Sequence, residues 1–176
     1  MLKLPTFLRL TLHALAIAIS YLPGFAKSSN QGKTFMQIGS QFPISKLSGK
    51  SGPLTLDSSR YTVLYFYPKD KTPGCTIEAG EFQKSKPTFD AQKIRIVGIS
   101  VDDFKSHESF CEAMSLSFEL ATDENGKLGE ELGILAGGLH KRVTYVINQA
   151  GMVVLHYATV KPSDHAGQIL TDISNL

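Results

Sequence analysis

The sequence predicts a three-layer α/β sandwich, a mixed central sheet flanked by helices. Residues 61–67 and 94–101 are nearly continuous apolar runs rich in β-branched and aromatic residues, the pattern of central strands covered on both faces. Helix-type segments follow both runs. Residues 143–147 and 153–157 alternate around Asn148-Gln149-Ala150-Gly151, which reads as a late antiparallel hairpin.

Taken in order, residues 42–54 are broken by Gly, Ser and Pro and read as short strands and turns. Pro68 ends the first long strand, residues 73–84 carry helix-start signals, and Pro87 reads as their stop. A second helix is expected over 106–115, where His107, Phe110, Cys111 and Met114 fall at i, i+3, i+4 and i+7 on one face. Residues 118–121 read as a short strand and 123–132 as a helix closed by Gly133. Pro162 marks the approach to a final helix ending near Asn175. Strands alternating with helices and closed by a hairpin fit a sandwich of thioredoxin type.

With 176 residues the chain has the size of one domain. Its net charge of +2 rests on Lys3 and Arg9, which lie in an N-terminal stretch without Asp or Glu; the remaining 16 cations balance 16 anions. Nothing in that balance points to nucleic acid. Residues 1–26 read as a secretory signal: a short basic region, an apolar run too interrupted for a firm membrane span, and Gly24-Phe25-Ala26 as small-x-small before cleavage. An uncleaved N-terminal membrane anchor is the alternative. Export to the bacterial periplasm is the expectation, with residues 27–35 as a polar tether and 36–176 as the domain.

Cys75 and Cys111 are the two cysteines, an even count that an oxidising compartment permits to pair. There is no C-x-x-C, and the five histidines show no ligand spacing with either cysteine, so no metal or other cofactor is expected.

Thr72-Pro73-Gly74-Cys75 admits two readings. In one, Thr72 is an N-cap, Pro73 takes the first helical position and Cys75 is a small apolar residue in the first turn. In the other, the same geometry serves chemistry: unpaired backbone N–H groups and the positive end of the helix dipole favour a thiolate, the reactive form of cysteine. Thr72 could then hydrogen-bond the sulfur or its substrate, while the rings of Pro68 and Pro73 fix the loop and hold water off.

Pro68-x-x-x-Thr72-x-x-Cys75, within YFYPKDKTPGCT, resembles the active-site motif of the peroxiredoxins, in particular their Q-type or bacterioferritin-comigratory branch. The resemblance extends over IVGISVDD, FELATDENGKLGEELGI and KRVTYVINQAG, and so covers nearly everything after Met36. It implies a thioredoxin-like fold and reduction of hydrogen peroxide and organic hydroperoxides by thiol chemistry, with a thioredoxin-like or other thiol as reductant and a monomer as the usual state. By the same resemblance Cys75 is the peroxide-attacking cysteine, Thr72 and Pro68 its motif partners, and Arg142 the arginine before the TYVI strand. Glu78 matches a position that often holds Glu and could orient Arg142, or could simply stabilise a helix N-terminus.

The chain departs from the Q-type pattern at Gly80, where many members place a resolving cysteine. Cys111, 36 residues beyond Cys75, matches the members that carry the resolving cysteine in the following helix, or it is a buried inert thiol. Joining it to Cys75 would call for local unwinding, which Gly80 would ease. Two rivals are disfavoured: a disulfide oxidoreductase by the missing C-x-x-C, and a non-catalytic binding or holdase module by the intact motif. The absence of tryptophan argues against a glutathione-peroxidase type.

Overall fold

The computed structural model describes residues 35–176; the expected signal segment and all but the last residue of the tether lie outside the described residues. A seven-stranded mixed sheet runs in the order β2-β1-β5-β4-β3-β8-β9. Its strands are β1 (Ser48–Gly49), β2 (Gly52–Pro53), β3 (Tyr61–Phe66), β4 (Ile94–Ser100), β5 (Glu119–Thr122), β8 (Val143–Ile147) and β9 (Val153–Tyr157). β6 (Leu135–Ala136) and β7 (Leu139–His140) form a separate small hairpin. The helices are α1 (Pro73–Ala91), α2 (Phe104–Met114), α3 (Lys127–Glu131) and α4 (His165–Ile173).

β3 is parallel to β4 and antiparallel to β8, so it occupies the middle of the sheet. Alternation along it separates two cores. Leu64 and Phe66 face Phe42, Leu128, Leu132 and Tyr145; Val63, Tyr65 and Tyr67 face Cys75, Phe82, Phe89, Phe110 and Ile169. α1, α2 and α4 therefore cover one face, and α3 with the segment around Phe42 covers the other, which is the three-layer arrangement expected. β8 and β9 form the expected hairpin, turning at Asn148, whose side chain accepts from Ala150 and Met152 N–H.

Several expected boundaries are corrected. Pro87 does not stop α1, which continues to Ala91. A proline inside a helix costs about 3 kcal/mol. Two turns apart, Phe82 and Phe89 pack with ring centroids 5.8 Å apart, and burying a phenylalanine contributes about 1.5–3 kcal/mol. The Lys86–Asp90 pair at 2.6 Å adds a few tenths, about 0.3 kcal/mol, so tertiary contact carries the last turn past the proline. The single helix expected over 123–132 is broken instead: Asn125 and Gly126 adopt φ of 57° and 67°, and α3 starts only at Lys127. Its start is fixed by buried Asp123, whose carboxylate accepts from Leu128 N–H at 2.9 Å and Gly129 N–H at 2.7 Å. α2 begins two residues before the expected start because Asp103 caps it, accepting from Ser106 N–H at 2.8 Å. α4 begins at His165, after rather than at the turn that follows Pro162. The β6–β7 hairpin, turned by Gly137 and Gly138 at φ of 59° and 78°, has no counterpart among the expected elements.

Gly98 on β4 lies beneath the Tyr65 ring. A Cβ there would come within 2.5 Å of the Tyr65 hydroxyl oxygen and 2.7 Å of Leu120 Cδ2. Gly98→Ala is expected to destabilise the domain by about 1–3 kcal/mol in urea unfolding. Because the Tyr65 hydroxyl is buried without a partner, Tyr65→Phe should be close to neutral alone and should recover part of the loss in the double variant.

Candidate active site

The site forms where β3 leaves the sheet. Register across β3 and β8 sets Phe66 opposite Val143, so Arg142, one residue before β8, lies beside the chain as it turns into the loop after Tyr67. That loop runs through Pro68, which is half-buried, and Lys71, held at a positive φ of 60°, to Thr72 at the head of α1.

Asp70 ties the loop to α2. Its carboxylate accepts from the Tyr67 hydroxyl at 2.6 Å, the Ser106 hydroxyl at 2.7 Å and His107 Nδ1 at 2.9 Å, and its own N–H donates to Asp102 at 2.9 Å. Burial works against charge on Asp70, but the hydrogen bonds from His107, Tyr67 and Ser106 outweigh it and hold the carboxyl below its ordinary range. Lys71 adds a 2.7 Å hydrogen bond from its ammonium to Ser109.

Thr72 occupies the N-cap position, yet its side chain does not cap the helix; its hydroxyl donates to the Lys69 carbonyl at 3.0 Å. The backbone supplies the first helical bond instead, from Thr76 N–H to Thr72 O at 2.9 Å. With its proton engaged by Lys69, the Thr72 oxygen is left as an acceptor. The expected proline wall is half made: Pro68 packs into the loop, whereas Pro73 is exposed because the first turn of α1 turns its ring to solvent.

Cys75 is 1% exposed in the first turn of α1. Arg142 Nη2 donates to its sulfur at 3.5 Å, while Nη1 donates to Glu78 Oε2. Gly74 permits this approach, since a Cβ there would stand 3.0 Å from Arg142 Nη2. Glu78 is fully buried and its Oε1 has no partner. Burial pushes its carboxyl up to about 7 even against the pull of Arg142. Burial also opposes the Arg142 charge, but Glu78 and the Cys75 sulfur more than offset that and raise its pKa further. The arrangement presents a sulfur, a fixed multi-donor cation and an acceptor hydroxyl around one helix head.

Cys111 stands apart from this group, in the third turn of α2. It is half-buried and lines a cavity of about 510 Å³ together with Lys50, Phe104, His107, Phe118 and Leu120, so it is not sealed in the core. Burial and the nearby Asp70 push its thiol pKa up, against a smaller opposing effect of Lys50.

The family model of the AhpC/TSA family matches residues 38–156. Peroxiredoxin Bcp of Bacillus subtilis is 34% identical over 152 residues, covering 80% of this chain and 97% of that protein. The chain belongs to the peroxiredoxins, in their Q/Bcp branch. The chloroplastic peroxiredoxin Q of Triticum aestivum is 37% identical over 139 residues, 77% of this chain, and the match spans 64% of the wheat protein's length. Among solved structures, the bacterioferritin comigratory protein of Xanthomonas campestris superposes with a TM-score of 0.69 at 29% identity, covering 77% of this chain and 96% of that one.

Sequence reasoning about this peroxiredoxin missed Asp70 and gave His107 no task beyond a helix face. In KDK, Asp70 looks like one more solvated charge, yet it is 5% exposed. Nothing in the sequence pairs it with a histidine 37 residues away; the one available signal was His107 one helical turn before Cys111.

Glu78 gives this peroxiredoxin a pH-dependent stability of definite sign. Its folded pKa of about 7 lies above the ordinary 4.5, so the contribution of the neutral carboxyl is complete below about pH 4.5 and lost as pH rises through about 7. The stability of wild type relative to Glu78→Gln, which stays neutral throughout, is expected to fall by about 3 kcal/mol across that window in denaturant titrations.

Proposed function

We propose that this chain is a thiol peroxidase in which Cys75 reduces hydrogen peroxide and organic hydroperoxides. The observation that carries the reading is the Arg142 guanidinium, which bridges the Glu78 carboxylate and the Cys75 sulfur at the head of α1. The Cys75 thiolate attacks the outer oxygen of the peroxide; the S–O bond forms as the O–O bond breaks, and the departing hydroxide or alkoxide takes up one proton from solvent to leave as water or an alcohol. The first-turn amides of α1 and Arg142 face the charge that shifts from sulfur to oxygen. The Thr72 oxygen can accept the hydroperoxide O–H and so turn the outer oxygen toward the sulfur. Cys75 becomes a sulfenic acid. Substrate breadth is supported by the Xanthomonas campestris protein, whose structures concern alkyl peroxide reduction.

Cys111 resolves the sulfenic acid within the chain, and a thioredoxin-type dithiol returns the disulfide to two thiols. Supporting this, the Xanthomonas campestris protein has been crystallised as two cysteine-to-serine variants at positions 36 residues apart, the spacing of Cys75 and Cys111. Gly80 contributes a second support. A Cβ at Gly80 would meet the Met114 methyl at 3.6 Å, so the C-x4-C position faces the seam between α1 and the last turn of α2, the turn on which Cys111 stands. A resolving thiol on either helix would thus enter from one seam. Closing the bond requires the two Cα atoms within about 7 Å, and release of the last turn of α2 is the movement that supplies it. The second reading, a single-cysteine enzyme relieved by an outside thiol, has in its favour only the upward-shifted pKa of Cys111, which disfavours its thiolate.

With one equivalent of hydrogen peroxide and a sulfenic-acid trap, wild type is expected to lose two hydrogens by intact mass, and Cys111→Ser to be trapped at Cys75. Trapping of both proteins alike would favour the single-cysteine reading, and no change in either would overturn the peroxidase. Arg142→Ala is expected to slow sulfenic-acid formation by about 10²–10³-fold in stopped flow, the usual cost of removing one donor to a developing oxyanion.

A further inference from the structure

We propose that His107, oriented by Asp70, is the general base that takes the proton from Cys111 when that thiol attacks the sulfenic acid at Cys75. The inference rests on the reading of Cys111 as the resolving thiol. A carboxylate only accepts hydrogen bonds, so the 2.9 Å contact between His107 Nδ1 and Asp70 Oδ2 fixes the imidazole proton on Nδ1. Nε2 is then the nitrogen with the free lone pair. It is buried and has no hydrogen-bond partner, in a residue only 3% exposed.

His107 and Cys111 line the same cavity and stand one turn apart on α2, an i, i+4 pair whose Cβ atoms lie about 5–6 Å apart. Helical side chains lean back toward the N-terminus, so the Cys111 thiol lies over the turn that carries His107. The first two turns of α2 are anchored by the Asp103 cap, the Ser106 and His107 bonds to Asp70, and the Lys71–Ser109 bond. The last turn, which begins at Cys111, can therefore loosen while the base keeps its place.

In the step itself the Cys111 S–H proton passes to Nε2, and Asp70 stabilises the imidazolium that forms. The Cys111 sulfur forms the S–S bond as the Cys75 S–O bond breaks, and the departing hydroxide takes up the proton held on the imidazolium, directly or through solvent, to leave as water. Cys75 sulfur is reduced and Cys111 sulfur oxidised, with no outside electrons. The titratable groups in contact with the imidazole are Tyr67 and Asp70 on the loop side, and Cys111 of its own helix shares its cavity. The charged groups around the rest of the cavity are Lys50, Lys105, Glu108, Glu112 and Glu119.

The test is quench-flow mass spectrometry after one equivalent of hydrogen peroxide, following the sulfenic-acid step and the disulfide step separately from pH 6 to pH 10. In His107→Asn, the amide keeps a donor toward Asp70 and removes Nε2. The ratio of disulfide rate to sulfenic-acid rate is expected to fall by at least about 30-fold at pH 7, the factor by which even a thiol of ordinary pKa, about 8.5, falls short of full ionisation, and burial of Cys111 enlarges it. The deficit should shrink toward unity as pH rises past the ionisation of Cys111. Asp70→Asn, which removes the charge behind the imidazole and one of the two accepting oxygens while leaving Nε2 in place, should give a smaller deficit with the same pH signature. A ratio that stays at the wild-type value, or that drops by one constant factor at every pH in both variants, overturns the base. Failure of wild type to form the Cys75–Cys111 disulfide would overturn the resolving reading instead, and the base with it.

Discussion

A carboxylate and a reactive sulfur can share a buried helix head only if a cation lies between them, and Arg142 meets that constraint. Glu78 is fully enclosed and Cys75 nearly so, and one guanidinium touches both. In a medium of low polarity an unpaired charge costs several kcal/mol, about 3–5 kcal/mol when one partner of a buried pair is removed. Much of the local architecture follows. Gly74 lacks the Cβ that would crowd Arg142, and the β3–β8 register delivers the arginine to the end of β3. Arginine suits the position better than lysine, because its planar fork holds two partners while its charge persists at any working pH.

A second buried anion, Asp70, organises the other side of the loop by a different principle. Among the described residues no lysine or arginine pairs with it; hydroxyl and imidazole donors from β3's end and α2 stabilise it instead. The active-site loop and the first half of α2 therefore behave as one anchored unit. The two cysteines sit on opposite sides of that unit, Cys75 against Arg142 and Cys111 on an open cavity one turn beyond the anchor. Stability is thus concentrated where peroxide would react, whereas the end of α2 is held mainly by its αL cap at Ser115 and apolar contacts.

The structure also gives Gly80 a physical meaning. The position faces α2 at ordinary contact distance from Met114, so a cysteine there and a cysteine in α2 are two ways of presenting a thiol to one seam.

The sequence by itself determined a great deal. Period-two and continuous apolar patterns are written locally, so β3, β4, β8 and β9 were legible to within a residue or so. The loop motif likewise set Pro68, Thr72 and Cys75 in one loop and helix head, because a short stretch of chain presents them together. The helix ends were less legible: Pro87 is a local stop signal that the distant burial of Phe89 overrides, and Asp123 sets the start of α3 through contacts that become available only after folding. Only the tertiary structure decided that the Thr72 hydroxyl turns to Lys69, that Glu78 pairs with Arg142 64 residues away, and that Asp70 of a charged loop is buried against His107. Those pairings depend on which segments the sheet brings together, and burial, rather than residue type, determines whether an acid in a sequence is a solvated charge or the fixed point of a site.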